Sequence, residues 1–163
     1  MVSRSRSSGD GRRRYVHLVR GSLTGLLPGR PAVPTKALFV CTRNSARSQL
    51  AAALWRQMLD APADSAGTHP AERVHPGAIA AAGRAGLRLS DGAPRALGGL
   101  AELPNLVVTV CDQAHEELAP DVSWLHWSIP DPVASGSRAA FDATIAELRV
   151  RIGALAQRAP AAS

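Results

Sequence analysis

A short apolar run, Ala37-Leu38-Phe39-Val40, ends in the polar string Cys41-Thr42-Arg43-Asn44-Ser45-Ala46-Arg47-Ser48, and an amphipathic stretch follows at once. An apolar run bounded upstream by Pro34 is what a strand buried on both faces requires. From Ser48 to Asp60, Leu50, Leu54 and Met58 recur at every fourth residue among good helix formers, which predicts a helix stopped by Ala61-Pro62. A strand that feeds a helix through a short polar loop belongs to open α/β sheets, where ligands bind beyond the carboxyl ends of strands.

The composition of the loop suggests its chemistry. Thr42, Arg43, Asn44, Ser45 and Ala46 are small or polar enough to wrap with successive backbone N–H groups pointing inward, an anion nest. The first turn of the next helix adds free N–H groups and its positive dipole end. Arg47 brings a planar fork that matches a tetrahedral oxyanion. These positive surroundings are expected to lower the pKa of Cys41 and supply a thiolate nucleophile. Ser48 is expected to cap the helix and hydrogen-bond the sulfur, and Asn44 to brace the loop from within. The competing reading makes Cys41 a buried strand-end thiol, Arg47 a solvated charge and Ser48 an ordinary cap. The position of the string between strand and helix favours the chemical reading.

Downstream, a short strand is expected near Asp64–Ala66, and a helix from Pro76 to Ala85 that opens with proline in its first turn. Leu106-Val107-Val108-Thr109-Val110 is the clearest strand. Asp112 to Leu118 reads as a short helix and Trp124 to Ile129 as a fourth strand. A last helix, Arg138 to Gln157, carries Phe141, Ile145, Leu148, Ile152 and Leu155 on one face. The alternation β-α-β-α-β-α-β-α predicts a four-stranded parallel sheet with helices on both faces. Aromatics are only 4% of the chain, so alanine and small aliphatics must supply the packing, which suits helices on a sheet better than a sandwich.

The sequence pI of about 10.9 invites a nucleic-acid reading that the distribution of charge removes. Residues 1–36 carry a net +7, whereas the remainder carries a net −1. Nucleic acid is therefore expected to meet only the tail, without specificity. Residues 1–34, rich in Arg, Ser, Gly and Pro, are expected to be a disordered basic tail, and residues 35–158 one α/β domain. For the tail, a solvated extension, an electrostatic arm, translated sequence upstream of the true start and a transit-peptide composition all stay open. Two well-separated cysteines, Cys41 and Cys111, form neither a disulfide scaffold nor a metal motif, and fit a reducing, cytoplasmic setting. No apolar run reaches the roughly 20 residues of a membrane span. His75, His115 and His126 lack metal-ligand spacing and read as structural or surface residues, so no metal is expected.

From about Lys36 to Ile152 the chain resembles the low-molecular-weight protein tyrosine phosphatase superfamily, and more closely its arsenate reductase branch. The resemblance rests on LFVCTRNSARSQLAAALWRQ, SAGTHP, VHPGAIAAAGRAGLRLSDGAPRAL, VVTVCDQAHEELAP and HWSIPDPVA, in family order. It implies that Cys41 is the nucleophile, Arg47 the oxyanion clamp, Asn44 and Ser48 loop supports, and Asp131 the general acid. Taken alone, Asp131-Pro132 is better explained as a turn, and only the family order favours the acid. Ala51-Ala52-Ala53 stand where some relatives carry an acid used for potassium, so no potassium site is implied.

Two features separate the branches. Phosphatases of this kind place aromatics just after the Asp-Pro pair, whereas Val133-Ala134-Ser135-Gly136 follows here; Trp124 and Trp127 precede the pair on an expected strand and read as core. Cys111 stands where thioredoxin-coupled arsenate reductases resemble one another in having a second redox cysteine, but Leu118 replaces their third. Cys111 is thus either a redox partner or a buried small hydrophobe. The resemblance implies an arsenate reductase or transferase with no tightly bound cofactor. An external thiol completes the cycle: mycothiol or a similar donor, or a thioredoxin or mycoredoxin system. A chain with one lysine and abundant Ala, Arg and Gly suits a GC-rich genome, in which mycothiol is expected. The alternatives are a phosphatase acting on phosphotyrosine or a small phosphoester, and a non-catalytic oxyanion-binding regulatory module.

Overall fold

The computed structural model of the chain describes residues 36–89, 92–120 and 123–158; the tail assigned to residues 1–34 lies outside them. Four strands, β1 (Ala37–Cys41), β2 (Ala63–Gly67), β3 (Leu106–Thr109) and β4 (Leu125–His126), form one sheet in the order β2-β1-β3-β4. Every pairing is parallel, with Ala37 opposite both Ala63 and Leu106, and Val108 opposite Leu125. The apolar run of β1 is buried at every position because a strand lies on either side and helices cover its faces.

The chain turns from β1 to β2 on one side and later to β3 on the other. Right-handed crossovers in opposite directions put their helices on opposite faces. Side chains agree: Phe39 meets Trp55 of α1 (Arg47–Leu59) at 5.8 Å, while Thr109, on the other parity, meets His115 of α3 (Asp112–Leu118). The reversal leaves a crevice beyond the carboxyl ends of β1 and β3, where Cys41 and Cys111 sit.

Helix α1 packs on β1 and β2 and against α5 (Arg138–Arg158). Its Ala51, Ala52 and Ala53 are buried, and such small side chains admit a close neighbour. Met58, expected on the apolar face, is instead 38% exposed in the last turn, beyond the part of α1 that the sheet covers. On α5 the expected face of Phe141, Ile145, Leu148 and Ile152 is buried. Helix α2 (Pro76–Arg84) opens at His75, whose Nδ1 accepts from the Gly77 amide at 2.9 Å. The same imidazole stacks on Phe141 at 5.2 Å, which gives His75 a structural task.

Two elements differ from the expected order. The fourth strand is two residues long, not six. Trp127 N still donates to Thr109 O at 2.8 Å, but Ser128 and Ile129 then turn toward Asp112 and Arg47, and Pro130 has no N–H to extend the ladder. A short helix, α4 (Pro132–Ser135), went unforeseen; the Asp131 side chain caps it by accepting from Val133 N at 3.0 Å. Among the described residues no helix is long and apolar enough to cross a membrane.

Phe39 is fully buried between Trp55 and Trp127. Phe39→Ala is expected to cost about 3–5 kcal/mol in urea unfolding. Val150→Ala on α5, 65% exposed in the native chain, should stay within about 0.5 kcal/mol; equal losses would contradict this placement of the core.

Candidate active site

The loop after β1 turns its carbonyls outward. Cys41 O, Thr42 O, Arg43 O and Ser45 O accept from Thr68 N, His69 N, Ala71 N and His75 N at 2.7–3.1 Å. Asn44 O accepts from Gln49 Nε2 at 3.1 Å, and Ala46 O from Leu50 N at 2.9 Å. Peptide planes held with carbonyls out aim their N–H groups in, which is the geometry of an anion nest. One such amide, Asn44 N, points at Cys41 Sγ from 3.2 Å.

Asn44 makes the tight turn, with φ 53°, a left-handed conformation that asparagine tolerates better than most residues. Its side chain is fully buried: Nδ2 donates to Ser48 Oγ at 2.7 Å, and Oδ1 accepts from Arg95 N at 3.0 Å. Ser48 Oγ lies 3.0 Å from Cys41 Sγ. Because the amide of Asn44 can only donate to that hydroxyl, the hydroxyl keeps its own hydrogen for the sulfur. Ser48 therefore faces into the loop and does not cap α1. The helix begins one residue earlier, with Ala46 at the cap position and no side chain capping it.

Sequence reasoning missed several loop supports. Gln49, buried, ties the helix to Asn44. A Cβ at Gly67 would stand 2.6 Å from Thr42 O, so only glycine lets β2 pass the loop this closely. The one available signal was the glycine of SAGTHP. Arg43 is exposed at the outer turn, while Thr42, Ser45 and Ala46 are buried.

Arg47, the first residue of α1, directs Nη1 to Ile129 O at 2.9 Å and Nη2 to Asp131 Oδ1 at 3.8 Å, with its side chain 13% exposed. The residues expected as clamp and acid thus meet, although they are far apart in sequence. Cys111 is buried at the cap of α3, its sulfur 3.3 Å from Ala114 N and 3.3 Å from Thr42 Oγ1. It touches the loop after β1 through Thr42, and both cysteines are free thiols. His115 and His126, expected as structural or surface residues, stack at 4.1 Å. No group of three or more His, Cys, Asp or Glu among the described residues is placed to hold a metal ion.

The expected acidification of Cys41 is not met in this arrangement. Burial pushes its thiol above the usual range, opposed by the Ser48 hydroxyl, then by the Ser48 and Asn44 amides, and least by Arg47. The physical reason is burial of the sulfur, and Arg47, whose fork is given to Ile129 O and Asp131, opposes it least.

With this geometry in view, one family model matches residues 36–162, that of the low molecular weight phosphotyrosine protein phosphatases. The chain belongs to that family. Members of it are enzymes, and so is this chain. Among solved structures it is similar to an arsenate reductase from Archaeoglobus fulgidus, at 28% identity and TM-score 0.58 over 75% of this chain and 99% of that one. An arsenate reductase in a phosphate-binding state shares the fold at 24% identity and TM-score 0.63, over 77% and 98% of the two chains. A tyrosine phosphatase from Erwinia amylovora shares it at 22% and 0.60, over 72% and 88%.

Groups that favour the thiolate lower the pKa of Cys41, so removing either should raise it. In a Cys111→Ser background, the midpoint pH for alkylation of Cys41 should rise in both Ser48→Ala and Arg47→Ala, and more in Ser48→Ala. A larger rise for Arg47→Ala would show that the guanidinium already faces the sulfur.

Proposed function

We propose that the protein is an arsenate reductase in which Cys41 attacks arsenate and an external thiol completes the reduction. One observation carries the choice of a small oxyanion over an aryl ester. Phe39, Trp55, Trp124, Trp127 and Phe141 are all at most 8% exposed, so among the described residues no Phe or Trp ring is free to grip a phenyl group. The helix after Asp131, α4, is Pro-Val-Ala-Ser. The relative with 28% identity, an arsenate reductase, supports the same reading.

In the proposed cycle the inward amides of residues 42–48 receive the oxyanion, and Arg47 leaves Ile129 O to pair with it. The approaching guanidinium and the amides favour the Cys41 thiolate. Sulfur attacks arsenic, an S–As bond forms, and one oxygen departs as water on taking the proton of Asp131. A thiolate of the co-substrate then attacks Cys41 Sγ. An S–S bond forms, the S–As pair returns to arsenic, and arsenite leaves. A second thiol reduces the mixed disulfide. Mycothiol fits the composition, and a thioredoxin-dependent arsenate reductase from Corynebacterium glutamicum among the structural neighbours favours a thiol system of some kind. A three-thiol relay within the chain has no third sulfur, because Leu118 is buried in its place.

The second reading, a phosphatase acting on small phosphoesters, is favoured by the family match itself. Arsenite release with mycothiol, glutathione or thioredoxin, set against hydrolysis of an aryl phosphate, separates the two. Cys41→Ser should abolish arsenate reduction, and Arg47→Lys should lower it about 100-fold, through loss of the bidentate fork. Cys111→Ser should retain most thiol-coupled turnover. Aryl-phosphate turnover without arsenate-dependent thiol oxidation would overturn the reductase reading, and a dead Cys111→Ser with every donor would overturn external attack.

A further inference from the structure

Beside the nucleophile loop a chain of hydrogen bonds crosses the carboxyl ends of β3 and β4. Thr109 Oγ1 lies 2.9 Å from His115 Nδ1 and 2.8 Å from His126 Nδ1. His126 Nε2 lies 2.8 Å from Asp112 Oδ1, and Ser128 Oγ donates to Asp112 Oδ2 at 3.0 Å. Asp112 therefore commits both carboxylate oxygens to the segment that leads from β4 to Asp131. A residue serving only the start of α3 would have no need to reach across, since Cys111 already caps that helix. Ser128, His126 and, more weakly, Arg47 hold the Asp112 carboxyl below its usual range, so it stays an acceptor for both partners.

The segment needs such a hold. Behind Ser128–Pro132, between it and Ala140, Thr144 and Glu147 of α5, lies an open cleft of about 440 Å³, so α5 does not wedge it from the rear. Its other attachment in front is Arg47, on Ile129 O and near Asp131. The proposed cycle withdraws Arg47 to the oxyanion, which leaves the buried Ile129 side chain and the Asp112 hydrogen bonds to keep the segment in place. Pro130 and Pro132 fix φ on either side of Asp131, which leaves fewer torsions between Ser128 and the acid to absorb a displacement.

We propose that Asp112, backed by His126, Thr109 and His115, is a positioning residue that anchors the Ser128–Asp131 segment and so sets where the Asp131 carboxyl meets the departing oxygen. This rests on Asp131 being the acid. Two measurements on the full chain test it: turnover, with phosphate binding by calorimetry as control, and amide hydrogen exchange across residues 128–135. Asp112→Ala should lower kcat for arsenate about tenfold, the scale of a partly misplaced acid, with phosphate Kd within about twofold. In an Asp131→Asn background the same change should cost less than about twofold, because residues that act as a unit are not additive. Ser128→Ala should behave likewise. A full further loss in the Asp131→Asn background, or phosphate affinity falling with kcat, would overturn the proposal. Exchange at residues 128–135 should quicken in Asp112→Ala, and unchanged exchange would also overturn it. Should the native enzyme turn over neither arsenate nor aryl phosphate, the functional reading fails while exchange still decides whether Asp112 holds the segment.

Discussion

The orientation of a few peptide planes governs this site. Each carbonyl from Cys41 to Ala46 has a donor outside the loop, most of them amides of residues 68–75. That outward pull points the loop amides inward, where an oxyanion and a sulfur can share them. Asn44 in a left-handed conformation, Gly67 without a Cβ and Gln49 reaching back from α1 all serve the same constraint. Removing any of them would disturb a backbone rather than a single contact.

The guanidinium at the site is held by one hydrogen bond and one ion pair, whereas the amides are set by the backbone. Arg47 in this structure bonds Ile129 O and approaches Asp131, and burial makes Cys41 hard to ionise. Arg47 and Asp131, the proposed clamp and acid, thus lie together, and in the proposed cycle an oxyanion competes for the guanidinium. A fork that leaves a neutral carbonyl for a doubly charged oxyanion gains a charge-assisted pair. In that proposed cycle binding and thiol activation are one event. Asp112 fits the scheme as an anchor that this exchange leaves in place.

Much of the fold was legible. Helix α3 runs from Asp112 to Leu118 as expected, and β1, α1, α2 and α5 begin or end within a residue or so of their sequence boundaries. Apolar periodicity governs such elements because a face must be buried along their whole length. The fourth strand was overread: Trp124, Trp127 and Ile129 are buried as strand residues would be, but burial does not require sheet pairing. Helix α4 is a single turn, too short to show a period.

The string Cys41 to Ser48 by itself fixed the loop, its sulfur and its hydrogen-bonding inventory, because strand, loop and helix are contiguous and their geometry is local. Tertiary structure alone decided what surrounds them. It placed Asp131 beside Arg47, laid residues 68–75 against the loop carbonyls, and joined His126 and Ser128 to Asp112. Those groups come from separate strands and meet only because the sheet order reverses at β1, and no periodicity in a single chain records which loops will share a crevice. The ionisation of Cys41 belongs to the same class: it depends on how deeply packing buries the sulfur and on which groups reach it.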